Sequence, residues 1–264
     1  MSNPAETYES YMVPTFFAPW ASYLVQSANP QPGERVLDVA CGTGIVARRV
    51  AAQLGLNGQV NGLDLNPNML TVARAAADRE GLAIVWHEGR AEDLPFPDGS
   101  FDLVLCQFAL MFFADRRAAL AEMHRVLTKG GRLSLSVLQG LDRHPFYQTL
   151  HDVIQQRLGE SGVQEIFSLG DADELHTLLR EAGFQNLEIE PASMSARFPD
   201  PEAFLAGEID VDTAAIPSMQ HLDAQARQAL TAAIRDDMAA PLREVTADDH
   251  VVIPFHVHIA RAER

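Results

Sequence analysis

The chain has 264 residues, of which 20 are Lys or Arg and 36 are Asp or Glu, so its formal net charge is −16 at pH 7. Apolar residues make up 47% and charged residues 21%, an ordinary globular composition that excludes collagen, a disordered tail and a disulfide scaffold. The acidic balance and the lack of a basic stripe in the sequence argue against nucleic acid and an anionic membrane surface as partners.

Cysteine content and segment polarity predict the cellular setting. Cys41 and Cys106 are too few for a disulfide framework, which favours a reducing, cytoplasmic location. Residues 1–10 contain neither a basic nor an apolar segment of the signal-peptide kind. The most apolar stretch, residues 103–114, is too short to span a bilayer. We therefore expect a cytoplasmic protein.

The first half of the chain alternates short apolar runs with helical patterns. Strands are predicted at residues 35–39, 60–65, 83–87, 101–106 and 132–138. Helices are predicted between them, at residues 45–54, from Pro67 onward with Asn66 as N-cap, and at 116–127. This alternation predicts an α/β fold with a parallel sheet covered on both faces. Such sheets bind ligands at the carboxyl ends of their strands.

After residue 139 the alternation loosens. Helices are predicted at residues 145–158, 171–182, 201–207 and 223–239, and strands at 187–197 and 251–260. Residues 139–170 and 199–249 are predicted to be helical cap insertions, while 171–198 and 250–264 complete the core. Three acidic residues (Glu208, Asp210 and Asp212) are predicted to lie in a solvated loop, and no metal site is predicted.

The turn after the first predicted strand contains the strongest functional signal. Small residues stand at positions 40, 42 and 44 (Ala40, Gly42 and Gly44), where the chain changes from strand to helix. Glycine tolerates positive φ, and the free N–H groups of the following helix favour a polar or anionic group. Asp38, near the end of a buried strand, needs a partner such as a ligand ammonium.

Two further carboxylates follow the next two strands. Asp64 stands at the predicted end of the second strand, where a carboxylate accepts hydrogen bonds from ribose hydroxyls. Glu92 comes just past the third strand, beside the backbone N–H of Ala91, a pair suited to the edge of an adenine ring. Each signal is weak alone, but together, at three successive strand ends, they predict a nucleoside site.

Four sequence blocks carry a family resemblance: VLDVACGTG (36–44), GLDLNPNML (62–70), GRAEDLPFPDGSFDLVLCQFALMFF (89–113) and ALAEMHRVLTKGGRL (119–133). The chain resembles the class I S-adenosylmethionine-dependent methyltransferases, and especially the small-molecule type that includes the ubiquinone/menaquinone-biosynthesis enzymes. This resemblance implies a Rossmann-like, mostly parallel seven-stranded sheet with helices on both faces and an antiparallel last strand. The core would span residues 31–138, preceded by a helical lid segment at 1–30.

The resemblance also implies roles for individual residues. S-adenosylmethionine would be the cofactor, with its ammonium on Asp38 and its ribose on Asp64. The backbone of Ala40, Gly42 and Gly44 would pass close to the methionyl part. The adenine ring would be contacted by four residues, Leu65, Met69, Ala91 and Glu92. Gln107 would face the methionyl end and the substrate. The family has glycine where this chain has Ala40, and we expect cofactor binding to tolerate that methyl group.

Catalysis needs little from the enzyme, because the sulfonium already activates the methyl group. The protein must mainly align the nucleophile and exclude water, and a base is needed only if the nucleophile loses a proton. Tyr11 or a neighbour in the aromatic segment 8–20 is predicted to line the cleft, with Phe16 and Trp20 as anchors, unless this segment simply packs as a peripheral helix. His144, which closely follows the fifth strand, is the candidate base.

Two other functions remain open from the sequence. Residues 42–47 match the G-x-G-x-x-A pattern of an NAD(P)-dependent oxidoreductase, although Asp38 is unusual for that class. A non-catalytic protein that keeps the fold as a binding module is the second alternative. The methyl acceptor is expected to be a small organic molecule, with O-, N- or C-methylation open, and the oligomeric state is not predicted.

Overall fold

The computed structural model describes residues 3–214, 216, 219 and 222–264, so five residues of the second predicted insertion lie outside the described part. The chain divides into two compact units. The first comprises Met1–Val137, Asp171–Ala192 and Val257–Arg264; the second comprises Leu138–Gly170 and Ser193–His256. The predicted insertions belong to the second unit, and their capping role stays a prediction.

The strands form a single sheet in the order β3-β2-β1-β4-β5-β8-β6, with β7 paired to β8. Their bounds are β1 Arg35–Val39, β2 Gln59–Asp64, β3 Ile84–Glu88, β4 Phe101–Gln107, β5 Leu127–Leu138, β6 Gln185–Pro199, β7 Thr246–Ala247 and β8 His250–Glu263. Strand β1 pairs in parallel with both β2 and β4, β2 with β3, and β4 with β5. The strand order therefore reverses between β1 and β4, which is where open α/β sheets bind ligands.

The last long strand runs against its neighbour β5. The backbone of Gly131 accepts a hydrogen bond from Arg264 near the start of β5, and Gln139, just past its end, donates to His256. Residue numbers thus rise along β5 as they fall along β8, so the two strands are antiparallel. The predicted seven-stranded, mostly parallel sheet with an antiparallel last strand is confirmed, with the two-residue β7 in addition.

The helices alternate with the strands in the first half of the chain. The α-helices are α1 Pro4–Thr7, α2 Ala18–Ala28, α3 Ile45–Leu54, α4 Pro67–Glu80, α5 Arg116–Val126, α6 Pro145–Leu158, α7 Val163–Ile166, α8 Ala172–Glu181, α9 Pro201–Ala214 and α10 Ala224–Glu244. Short 3₁₀ helices cover Gly55–Asn57, Leu110–Phe112 and Leu141–Arg143. Residues Tyr8–Phe17 form a π-helix, a type that is rare at this length.

Short polar side chains fix where several helices begin. Asn66 accepts a hydrogen bond from the backbone of Asn68 at 3.0 Å, and Pro67 occupies the first position of α4. Asp115 caps α5 by accepting from the backbone of Ala118 at 2.9 Å. Each such cap is worth about 1 kcal/mol. The cap at Asn66 also sets the position of Asp64, two residues earlier.

The second unit contains α6, α7, α9, α10 and β7, and α10 packs against both α6 and α9 within it. The prediction that Glu208, Asp210 and Asp212 lie in a solvated loop is wrong. They lie on α9, which continues to Ala214, and the side chain of Asp212 is buried. Alternate acidic residues suggested a loop, but the apolar residues Leu205 and Ile209 give the helix a buried side.

Within the described residues, none of the helices combines the length and the apolar character that crossing a membrane requires.

Candidate functional site

The turn between β1 and α3 has an unusual backbone. Ala40, Gly42 and Gly44 all have positive φ, at 55°, 55° and 82°. Glycine adopts this conformation freely, whereas alanine pays a steric cost in it. Helix α3 begins at Ile45 after the N-cap residue Gly44, which has no side chain to cap it, so the first backbone N–H groups of α3 receive no side-chain cap from Gly44. This arrangement suits a polar ligand group in close contact with the backbone.

Asp38 is buried beneath this turn. Its side chain is 1% exposed, and Oδ2 accepts a hydrogen bond from the backbone N–H of Ala47 at 2.9 Å. Burial, together with a smaller effect of the nearby carboxylate of Asp64, raises the pKa of the Asp38 carboxyl to about 8, although the hydrogen bond from Ala47 acts in the opposite direction. A cationic ligand group would restore the ionised form of this carboxyl group.

Asp64 is held against the same turn. Its Oδ2 accepts from the backbone N–H of Gly42 at 2.7 Å, and its Oδ1 accepts from that of Asn66 at 2.8 Å. The carboxylate therefore connects the end of β2 to the glycine turn after β1. A carboxylate has about four acceptor sites, so two remain for hydroxyl groups of a ligand. The structure thus brings Asp38 and Asp64 together, as the sequence predicts.

The loop that follows β3 is connected to Asp64 by a backbone hydrogen bond. Gly89 donates to the carbonyl of Asp64 at 3.1 Å. Ala91 is buried, and the carboxylate of Glu92 accepts from the backbone of Ala114 at 3.1 Å and lies 3.5 Å from Arg90. The contacts of Glu92 are thus with its own loop and the segment after β4. Its predicted adenine role stays a prediction.

Two of the residues predicted to contact the adenine ring, Leu65 and Met69, follow Asp64 in the sequence. Leu65 is 57% exposed, so its side chain is accessible to a ligand beside Asp64. Met69, in the first turn of α4, is partly exposed. Their contact with an adenine ring also stays a prediction.

Gln107 ends β4 and connects the sheet to the N-terminal segment. It is 9% exposed, and its Nε2 donates to the carbonyl of Phe17 at 3.1 Å. The next residue, Phe108, has a φ of 49°, a strained value for a bulky side chain. The centroid of its ring lies 5.1 Å from the ring centroid of Phe16 and 6.1 Å from that of Trp20. The carboxyl end of β4 is therefore packed directly against residues 16–20.

Tyr8, which the sequence does not single out within the aromatic segment, lies at the glycine turn. A Cβ atom placed on Gly42 would lie 3.9 Å from the hydroxyl of Tyr8, so this side chain covers the glycine turn. Burial raises the pKa of the Tyr8 phenol, and the charges of Asp64, Glu9 and Asp38 add to that effect. The sequence favours Tyr11 or a neighbour only through the aromatic character of this segment. The π-helix has more residues per turn, which changes the face that each tyrosine presents.

His144, the predicted base, belongs to the second unit and is 1% exposed. Its Nδ1 lies 3.1 Å from the carbonyl of Gly140 and must carry the proton, and its Nε2 accepts from the backbone N–H of His256 at 3.0 Å. Burial lowers the pKa of His144 to about 4. Both ring nitrogens are thus occupied by backbone groups. A catalytic role for His144 stays a prediction, and this geometry favours a structural role.

Among the described residues, there is no cluster of three or more His, Cys, Asp or Glu side chains with the geometry to hold a metal ion.

Comparison with known proteins supports the resemblance seen in the sequence. Residues 37–135 match a family described as a methyltransferase domain. The demethylmenaquinone methyltransferase of Geobacillus kaustophilus is 36% identical over 186 residues, which cover 65% of this chain and 80% of that protein. The ubiquinone/menaquinone biosynthesis C-methyltransferase UbiE of Stenotrophomonas maltophilia is 44% identical over 115 residues, 43% of this chain but only 46% of that enzyme.

Solved structures give the same fold. The YcgJ protein of Bacillus subtilis superposes with a TM-score of 0.60 over 92% of this chain and 97% of its own, at 20% sequence identity. At this identity the likeness concerns the fold alone. The sequence relatives, and not the structural ones, therefore connect the chain to a chemistry.

Proposed function

The chain belongs to the S-adenosylmethionine-dependent methyltransferases of the ubiquinone/menaquinone-biosynthesis type, and from this membership we propose that it transfers the methyl group of S-adenosylmethionine to a small organic molecule. The comparisons give no support to the oxidoreductase and the non-catalytic alternatives. S-adenosylmethionine supplies a methyl group that is activated on a sulfonium. The task of the chain is then to bind, to orient the acceptor in line and to exclude water.

The observation that carries this proposal is the meeting of Asp38 and Asp64 at the glycine turn. Their hydrogen-bond partners are backbone N–H groups, and within the described residues neither forms an ion pair. Two neighbouring carboxylates without a cation favour a positively charged ligand. We assign the ammonium of the cofactor to Asp38 and its ribose hydroxyls to Asp64. Leu65, Met69, Ala91 and Glu92 would surround the adenine.

In our proposal, the N-terminal segment Tyr8–Phe17 covers this site. Tyr8 lies over Gly42, and Phe17 is bonded to Gln107. A side chain held over the glycine turn would exclude water from the methyl group and slow the release of the cofactor. We therefore propose that Tyr8, rather than Tyr11, closes over the cofactor.

Binding of S-adenosylhomocysteine, the product of the cofactor, tests the function directly. It should raise the melting temperature of the protein, whereas NADH should not. Asp64→Ala should weaken this binding at least tenfold, because two hydrogen bonds to a charged group are lost. Asp78→Asn, on the exposed side of α4, removes the same charge and serves as the control. Stabilisation by NADH instead would overturn the proposal.

Removal of residues 1–12 tests the cover. The truncation deletes Tyr8 but leaves Trp20 and the rest of α2, which are part of the buried core. We expect S-adenosylhomocysteine to bind more weakly and to dissociate faster from the truncated protein. An unchanged dissociation rate would remove the covering role.

We propose a small organic molecule as the methyl acceptor. The relatives named as demethylmenaquinone and ubiquinone/menaquinone methyltransferases suggest demethylated quinols as the first compounds to test. A panel of such quinols, phenols and amines, incubated with labelled S-adenosylmethionine, would identify the acceptor and the atom that is methylated. A cytoplasmic location and the exclusion of nucleic acid as a partner stay predictions from the composition.

A further inference from the structure

Arg48 is a buried charge for which methyl transfer has no direct use. It lies on α3, four residues after Gly44, whose carbonyl accepts a hydrogen bond from the backbone of Arg48 at 2.8 Å. Its side chain is only 7% exposed. A buried guanidinium is costly unless carboxylates neutralise it, so its partners indicate why it is there.

The two partners of Arg48 come from two other elements of the site. Its Nη2 donates to Glu9 at 2.6 Å, and its Nη1 donates to Glu80. Glu9 follows Tyr8 on the N-terminal segment, while Glu80 ends α4, the helix that begins just after Asp64. Arg48 therefore connects the covering segment to α3 and α4, the helices that follow the two strands bearing Asp38 and Asp64.

The two ion pairs differ in a way that allows the segment to open. Glu9 is 17% exposed and its Oε2 is buried without a hydrogen-bond partner, whereas Glu80 is 47% exposed. If the segment moved away, Glu9 would gain water on both oxygens, and Arg48 would keep Glu80 as its counter-ion. Opening thus leaves no buried charge unpaired, and the Glu9 pair is the one that breaks.

We propose that Arg48 is a positioning residue: through Glu9 it fastens the N-terminal segment with Tyr8 over the glycine turn and so sets how fast the cofactor leaves. This inference rests on the proposed function. The carbonyl of Phe17, bonded to Gln107, fastens the other end of the segment. Glu9, which directly follows Tyr8, supplies an ionic attachment near the start of the segment.

The test compares Arg48→Met with Arg49→Met. Arg49 is the next residue on α3 and is exposed, so its replacement changes the net charge equally without touching the segment. S-adenosylhomocysteine dissociation is followed by stopped-flow tryptophan fluorescence. We expect roughly tenfold faster dissociation for Arg48→Met and for Glu9→Gln, and the wild-type rate for Arg49→Met. Arg48→Lys should restore part of the slow dissociation.

A double-mutant analysis separates positioning from mere stabilisation. In the protein that lacks residues 1–12, Arg48→Met should not change the dissociation rate further, because the segment through which it acts is absent. If Arg48 only stabilised the fold, its replacement would lower the melting temperature and leave the dissociation rate of the full chain at the wild-type value. That result, or equal dissociation from the Arg48→Met and Arg49→Met variants, would overturn the inference.

Hydrogen exchange of the ligand-free protein tests the role of Arg48 independently of whether the protein binds S-adenosylhomocysteine. Amides of residues 4–17 should exchange faster in Arg48→Met than in Arg49→Met, whatever the protein binds. Failure of the wild type to bind S-adenosylhomocysteine would overturn the proposed function alone. Equal exchange in the two variants would show that Arg48 does not fasten the segment.

Discussion

At the scale of single residues, Asp38 combines two properties that oppose each other in the ligand-free protein. Burial holds its carboxyl group largely protonated at neutral pH, while its predicted role requires a negative charge. The bound cation supplies the free energy that ionises it. Binding should therefore be coupled to the release of a proton from this residue.

Proton release is measurable by calorimetry of S-adenosylhomocysteine binding at pH 7 in buffers that differ in ionisation enthalpy. With the pKa of Asp38 at about 8 in the free protein and lowered by the ligand ammonium, we expect a large fraction of one proton to be released. Affinity should rise with pH until the carboxyl group of the free protein ionises. In Asp38→Asn the release should vanish and binding should weaken about tenfold or more. Equal release by the two proteins would contradict the assignment.

His144 gives a pH effect on stability. Its pKa is lowered to about 4 in the fold, against about 6.5 in an unfolded chain. Between these values the unfolded state binds more protons, so the contribution of His144 is fully present above pH 6.5 and is lost as the pH falls towards 4. At about 1.4 kcal/mol per pKa unit, we expect this contribution to be about 3 kcal/mol in full, of which about 2 kcal/mol is lost by pH 5.

Urea unfolding of wild type and His144→Asn at pH 7.5 and 5 measures this effect. The variant keeps a donor near Gly140 but leaves the N–H of His256 without its acceptor. It should be less stable than wild type at pH 7.5, and the difference should shrink at pH 5. A difference that is independent of pH would show that His144 does not titrate in this way.

At the scale of elements, most helix and strand positions follow from local rules in the sequence. The N-caps Asn66 and Asp115 place the starts of α4 and α5 where periodicity and turn residues predict them. The π-helix of residues 8–17 does not follow from such rules. Its apolar residues fit an ordinary helix equally well, and only packing against the glycine turn and β4 distinguishes the two.

The π-helix leads to a prediction about the two tyrosines. Tyr8→Ala should weaken S-adenosylhomocysteine binding about tenfold. The ring of Tyr8 covers Gly42, and its centroid lies 4.9 Å from that of the Phe17 ring. Tyr11→Ala, three residues later on the same segment, should have a smaller effect on this binding. Isothermal titration of both variants compares them directly. The reverse order would restore Tyr11 as the covering residue.

At the scale of the whole molecule, the sequence predicts the sheet and the location of the nucleoside site far better than the chemistry of the acceptor. Apolar strand runs are separated by helices, which predicts parallel strands. Parallel strands place their carboxyl ends at one edge of the sheet, so the sequence alone predicts that Asp38 and Asp64 lie close together. No comparable sequence pattern predicts the structure of the second unit. Its helix α9 buries Asp212 through tertiary packing that the alternating acidic sequence does not reveal.

The net charge of −16 leads to a last prediction about association rates. S-adenosylmethionine carries a net positive charge through its sulfonium, whereas S-adenosylhomocysteine is neutral overall and otherwise has the same groups. A strongly acidic protein should attract the first and not the second over distances of about 10 Å, the screening length at 0.1 M salt. Raising the salt from about 0.02 to 0.5 M should therefore slow the association of S-adenosylmethionine severalfold.

Stopped-flow association rates of the two ligands across this salt range provide the measurement, with S-adenosylhomocysteine as the internal control. Salt effects on the segment that covers the site act on both ligands alike, so the ratio of the two rates isolates the long-range attraction. A ratio that does not change with salt would mean that the acidic residues lie too far from the entrance to act. The attraction would then come from Asp38 and Asp64 alone, at short range.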